Sequence, residues 1–190
     1  GYPQQYKDVA YGLVANDRAR YLVLPTPGSL NDGPTENRGP VLSAVSHAPT
    51  QPQAREAAVV RASAQNALTA VESVTLHCRA MFGATHAVPM LDEGTDGDHQ
   101  AGDGIYAARI PPGLAAPGEM VRYYVTAMDL DGHTSRWPLF HDPVDSPQYQ
   151  GFVIEDPTVR SALPVLSWFV ADPAAAETDV GTRASVYYDG

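Results

Sequence analysis

Lysine is almost missing from this chain: Lys7 is the only one among 12 basic residues, and the rest are arginine. That skew reads as the coding bias of a GC-rich genome and carries no activity with it. Cysteine is as scarce. Cys78 stands alone, which excludes an intrachain disulfide and leaves the redox compartment open. No apolar run approaches the roughly 18 residues that a membrane span needs. No leader-like segment is visible at Gly1, and the abrupt start reads as that of a fragment. Positive charge is in short supply, 12 basic against 22 acidic residues for a net charge of −10. Such a chain has no general attraction for phosphate backbones, so nucleic acid is not an expected partner. There is no Gly-x-Ser-x-Gly, no Walker A and no Gly-x-Gly-x-x-Gly. The histidines (His47, His77, His86, His99, His133, His141) include no pair at zinc-site spacing.

What is present is punctuation. Seventeen prolines and 16 glycines interrupt short runs of Val, Thr, Tyr and Ala in a chain that is 44% hydrophobic. Turn signals every roughly 8–12 residues are the rhythm of an all-β sandwich. Period-two alternation picks out strands at Val41–His47, Ala57–Ser63, Val74–Ala80, Ile105–Ile110, Val121–Met128 and Tyr149–Ile154. His86–Leu91 adds an edge strand, since Pro89 bars a central position. Val74, Leu76, Cys78 and Ala80 share one face, which makes Cys78 a buried, inert thiol. His77 falls on the opposite, polar face and is expected to be solvated. Tyr123 or Tyr124 is a candidate for the tyrosine corner of a sandwich. Before this region, Arg20–Leu24 reads as a strand and 31–40 as a linker. After it, 162–176 reads as a short helix limited by Pro164 and Pro173. Arg183–Tyr188 reads as a strand without a visible partner.

The stretch DEGTDGDHQAGDGIYAARI, residues 92–110, poses the main chemical question. Asp92, Glu93, Asp96, Asp98 and Asp103 fall within twelve residues, with Gly94, Gly97 and Gly102 among them and Gly104 directly after. Closely spaced aspartates can supply the oxygen ligands calcium requires. The EF-hand template fails: from Asp92, position 3 is Gly94 and position 12 is Asp103, and from Asp96 position 12 is Ala107. A non-EF calcium site of Asp92, Asp96, Asp98 and Asp103, with Glu93 turned away, is one reading. The other is a polar connection in which glycines supply positive φ and aspartates make Asx turns. A catalytic role fits poorly, because a loop this rich in glycine keeps its carboxylates hydrated. Trp168 and Phe169 form either an exposed aromatic platform or an anchor for the C-terminal segment.

Three parts of the chain resemble known families. Tyr11, Gly12, Pro25, Thr26, Pro27, Gly28 and Asn31 resemble the closing segment of lamin-tail-like modules of bacterial surface proteins. The Asp-Gly-rich loop before Gly102-Asp103-Gly104-Ile105-Tyr106, with Tyr123, Tyr124, Ala127, Asp129 and Gly132, resembles the immunoglobulin-like or fibronectin-III-like modules of exported bacterial proteins. Leu163, Pro164, Val165, Trp168, Phe169, Tyr188, Asp189 and Gly190 resemble the start of a CotH-like kinase domain, whose nucleotide and metal residues would lie beyond residue 190.

The expected architecture is all-β: an immunoglobulin-like or fibronectin-III-like antiparallel β-sandwich over 40–156. A partial N-terminal segment, 1–39, would be the tail of a preceding module. A C-terminal extension, 157–190, would be a linker and the start of a following domain. The expected function is that of a non-catalytic structural or interaction module of a larger exported protein at the cell surface or outside the cell. Its expected partners are neighbouring domains of the same polypeptide, together with other cell-surface proteins. No cofactor is expected beyond the calcium reading. The alternatives are the front segment of a CotH-like kinase and a carbohydrate-binding module, which would need a strip of exposed aromatics.

Overall fold

The computed structural model describes residues 10–14, 18–22, 26–31, 34–35, 37–140 and 147–189. The chain runs β1 (Ala10–Val14), β2 (Arg18–Leu22), β3 (Pro34–Thr35), β4 (Val41–Ala48), β5 (Ala58–Gln65), β6 (Val71–Ala80) and β7 (His86–Met90). It continues through β8 (Ile105–Ile110), β9 (Met120–Asp129), β10 (Thr134–Trp137), β11 (Gln150–Val153), β12 (Val165–Val170), α1 (Pro173–Ala176) and β13 (Ala184–Asp189). Two antiparallel sheets form the sandwich. One has the order β4-β5-β8; the other has the order β10-β9-β6-β7, with β11 also pairing β9.

Alternation produces the core. Val74, Leu76 and Cys78 of β6 and Val121, Tyr123, Val125 and Ala127 of β9 are buried, and they face Ala58, Val60, Ala62 and Ala64 of β5 and Ala108 and Ile110 of β8. Four small or β-branched side chains on β5 leave room for the Tyr123 and Phe152 rings. Burying a Val, Leu or Phe side chain stabilises by about 1.5–3 kcal/mol, so this stripe dominates the stability of the unit. The all-β, immunoglobulin-like expectation is what the chain adopts.

Several local expectations are corrected. Residues 34–35 and 37–40, read as part of a linker, are built into the structure. Pro34–Thr35 pairs with β2, and Asn37, Gly39 and Pro40 are buried. The helix expected over 162–176 gives way to a strand at Val165–Val170, because Val165, Trp168, Phe169 and Val170 are β-branched or aromatic. Only the turn after Asp172 is helical: the Asp172 carboxylate accepts from the Ala175 amide at 3.1 Å, and Pro173 starts the turn. The C-terminal strand, Ala184–Asp189, does have a partner, since it pairs with β12 along its whole length. Strands β1, β3, β10 and β12 lay outside the sequence reading. Of the strand expected at the N-terminal end, Val23 and Leu24 fall outside the described residues.

Candidate functional site

The acidic stretch is not a hairpin loop. It leaves β7, the edge of one sheet, and enters β8, the edge of the other. Where the two edges meet, Leu91 and Ala107 exchange a pair of backbone hydrogen bonds, both 2.9 Å. The loop therefore closes one side of the sandwich. Gly97 is the position where this needs glycine. Its φ is 109°, and a Cβ there would lie 2.3 Å from Cγ1 of Val59 on β5.

The carboxylates serve the loop backbone. Asp92 Oδ1 accepts from the amides of Gly102 (2.6 Å) and Asp103 (3.2 Å), and its Oδ2 from Gly104 (2.9 Å). Asp98 is 4% exposed and accepts from Gly94 (2.5 Å) and Gln100 (3.2 Å). The Gly94 amide foremost, with those of Gln100 and His99, holds the Asp98 carboxyl below the usual range although burial opposes it. Asp103 Oδ1 accepts from the Ile105 amide at 2.9 Å. Asp96 turns outward to Arg109, whose Nε donates at 2.9 Å. Glu93 is exposed.

Of the four aspartates proposed as calcium ligands, the fold brings Asp92, Asp98 and Asp103 together. One oxygen from each lies within 4.8 Å of the others. Asp96 is outside that group. Calcium takes six to eight oxygens. Three carboxylates already accepting from six amide N–H groups offer a partial shell, with the lone pairs of each oxygen shared. Chemically the loop is a self-capped crossover.

A second closed carboxylate lies at the turn Asp129-Leu130-Asp131-Gly132. Asp129, 1% exposed, ends β9. Its Oδ1 accepts from the amides of Asp131 (3.0 Å) and His133 (2.8 Å), and its Oδ2 from the Asn37 side chain (2.6 Å). Burial disfavours its charge, but the His133 amide, Asn37 and the Asp131 amide outweigh that and keep the carboxyl low. Asn37 Oδ1 in turn accepts from the Gly39 amide at 2.9 Å. This plug ties the segment before β4 to the β9–β10 turn. Local turn chemistry signalled the Asp129 half, whereas the Asn37 half spans 92 residues and leaves no local signal.

The remaining candidates are structural. Cys78 is fully buried, and burial raises its thiol pKa, as the alternation required. His77 is only partly solvated: it stacks on Tyr124 (4.4 Å, 6°), and its Nε2 lies 2.9 Å from the Thr126 hydroxyl. Among the described residues the Tyr123 hydroxyl makes no backbone corner bond. It meets His47 Nδ1 at 2.9 Å across the two sheets.

Trp168 and Phe169 part company. Phe169 is buried with Met120 and Val153, beside Met81, Phe82 and Tyr187, so the β12–β13 hairpin is fixed to the sandwich. Trp168 is 67% exposed. Leu166 pairs with Tyr188 and Trp168 with Val186, so these four exposed side chains share the hairpin's free face. At the N-terminus, the Asn31 side chain donates to the Leu13 carbonyl at 2.5 Å and the Thr26 hydroxyl to Asn31 Oδ1 at 3.1 Å. No helix among the described residues is long and apolar enough to cross a membrane.

Residues 40–134 match the family model described as "Conditioned medium factor 2nd Ig-like domain", which is half of the chain. No curated protein matches it.

Proposed function

The chain belongs to the family of conditioned medium factor second Ig-like domains, and from that premise we propose that it is a non-catalytic module that positions neighbouring domains of a larger exported bacterial protein. One observation carries this reading. The β12–β13 hairpin buries Phe169 against the sandwich while exposing Leu166, Trp168, Val186 and Tyr188 on its other face. Large contiguous apolar surface marks an interface. A hairpin fixed on one face and apolar on the other suits a module that holds a neighbour in a set orientation. The carboxylates of the crossover are engaged by backbone amides, which supports the non-catalytic reading. Export, the extracellular setting and the kinase-like neighbour rest on the resemblance of the sequence to such proteins.

The test measures rigidity. Spin labels at Leu68→Cys on the sandwich and Val180→Cys on the hairpin, both exposed, should give a narrow distance distribution that Phe169→Ala broadens. A distribution already broad in the parent chain would show a tether and overturn the positioning role. Phosphate release from ATP that depends on a residue of this chain would overturn the non-catalytic reading.

A further inference from the structure

The outward face of the second sheet carries arginines that the sandwich does not require. Arg79 of β6 and Arg122 of β9 are direct cross-strand partners. Like charges placed opposite each other destabilise a sheet. Arg136 of β10 joins them: the guanidinium carbons of Arg79, Arg122 and Arg136 lie 4.4, 5.9 and 5.9 Å from the centre of the Tyr149 ring. Arg183 directly precedes β13, whose Tyr187 packs against the same apolar cluster as Phe82, and it adds to the positive charge around Arg122. Four arginines thus gather at one place on a chain with a net charge of −10.

Arg122 is the informative member. It is 5% exposed, and its guanidinium lies 4.1 Å over the Phe82 ring. Among the described residues, its Nε and Nη2, and the Nε of Arg79, are buried without hydrogen-bond partners. Burial, then Arg79 and Arg183, press its pKa downward, while Tyr149 acts in the opposite sense. Among the described residues no carboxylate pairs with Arg79, Arg122 or Arg183. The contrast with Arg136 is plain, since its two terminal nitrogens donate to the carbonyls of Pro138 and Gln148. A buried cation without an anion is costly, and ring contacts recover only part of that cost. Rule-breaking charge placement of this kind marks functional sites.

We propose that Arg79, Arg122 and Arg183 form a receptor for carboxylates on an acidic segment of a partner polypeptide. Guanidinium forks match carboxylates bidentately, and the Phe82 and Tyr149 rings hold the Arg122 and Arg79 planes in place. Arg122 is the buried member of the site, Arg79 is half-buried and Arg183 is exposed. The positive patch is short and the rest of the chain is acidic. A long polyanion would meet repulsion around it, whereas a short acidic segment would not.

The experiment is a fluorescence anisotropy titration of a labelled hexaglutamate peptide with this chain, at low and physiological salt. Saturable binding is expected, weakened by salt and weakened about tenfold or more by Arg122→Gln. Arg109→Gln, on β8 and paired with Asp96 of the acidic crossover, should leave it unchanged. Should Arg122→Gln fail to fold, the double variant Arg79→Gln, Arg183→Gln carries the test, with circular dichroism confirming its fold. Absence of saturable binding, or equal affinity in parent and double variant, would overturn the proposal. Inorganic phosphate displacing the peptide as readily as free hexaglutamate would reduce the cluster to an unspecific anion trap. Arginine-dependent dimerisation without peptide binding would assign it to a second copy of the chain. Both results also count against the proposal.

Discussion

The acidic crossover between β7 and β8 and the arginine face of β6 and β9 both hold like charges at close range, yet only the first is closed on itself. Asp92, Asp98 and Asp103 together accept from six backbone amides, and Asp96 has Arg109. The difference is one of supply. A glycine-rich turn has amides that no ladder uses, and carboxylates are acceptors. Guanidinium groups are donors only, and the carbonyls beneath Arg79 and Arg122 are already engaged in pairing with neighbouring strands. The same density of charge is therefore scaffolding where the backbone can answer it and an open valence where it cannot.

Substitution should break this contrast unevenly. The largest effect is expected at Gly97. Alanine there would need the strained φ of 109° and would drive a Cβ into Val59. Urea unfolding should show a loss of about 3 kcal/mol, partly recovered in a Val59→Ala background that removes the clash but not the strain. On the arginine face, Arg79→Gln should change stability by no more than about 0.5 kcal/mol. A neutral Gly97→Ala would mean that the crossover does not sit on β5 as described.

Asn37→Ala tests the second closed carboxylate. It removes one donor to Asp129 and the acceptor of the Gly39 amide. Loss of this buried amide should cost about 2 kcal/mol. Hydrogen exchange should rise at Gly39 and His133 while remaining slow along β6. Unchanged protection at both amides would show that the plug is not holding the segment before β4.

The strands of the sandwich were legible because a half-buried sheet writes its pleat into the sequence. The β6 alternation placed Cys78 in the core without any structural help. Pro89 likewise placed β7 at an edge. Strand β4 gave only a modest signal, and a register shift between Ser43 and Ser46 with Ala44 at a φ of 49° explains why. Strand β12 was misread because an aromatic-rich six-residue run fits a buried strand or a helix turn equally well. Its partner lies across a connection whose Pro173 suggested a boundary. The candidate site was half legible. Composition marked the aspartates, but which oxygen meets which amide depends on a crossover between two sheets. The Arg79–Arg122 pairing is a matter of register between strands far apart in the sequence, and no local pattern reports it.

The histidine that joins the two sheets allows a gentler probe. Burial lowers the pKa of His47 from its ordinary value of 6.5, with the Thr50 carbonyl partly opposing. His77 is lowered too, by burial and then by Arg136. A histidine whose pKa is depressed on folding binds its proton more readily when unfolded. Stability is therefore whole above 6.5 and declines as pH falls below it, until the folded-state value is passed. His47→Gln should retain a polar partner for Tyr123 and flatten the melting-temperature profile in that window. An unaltered slope would place the acid sensitivity elsewhere.

The smallest expected effect is none at all, and it bears most directly on the acidic crossover. Asp92, Asp98 and Asp103 present oxygens within 4.8 Å of one another, which is the one feature that favours a cation. Against it stand the amide hydrogen bonds those carboxylates already accept, and the departure of Asp96 to Arg109. A ligand present at a hundredfold excess over its dissociation constant stabilises by about 2.7 kcal/mol. For a domain of this size each kcal/mol moves the melting temperature by about 2–4 °C. A calcium site whose dissociation constant lies about a hundredfold below the added calcium would thus be visible as a rise of several degrees. The self-capped crossover predicts a shift below about 1 °C, the same with calcium as with chelator. Asp103 is the informative substitution, because it is exposed and caps a single amide. A calcium-dependent rise that Asp103→Asn removes would show that the amides share those oxygens with an ion. It would also move the crossover from the closed class of charge cluster to the open one.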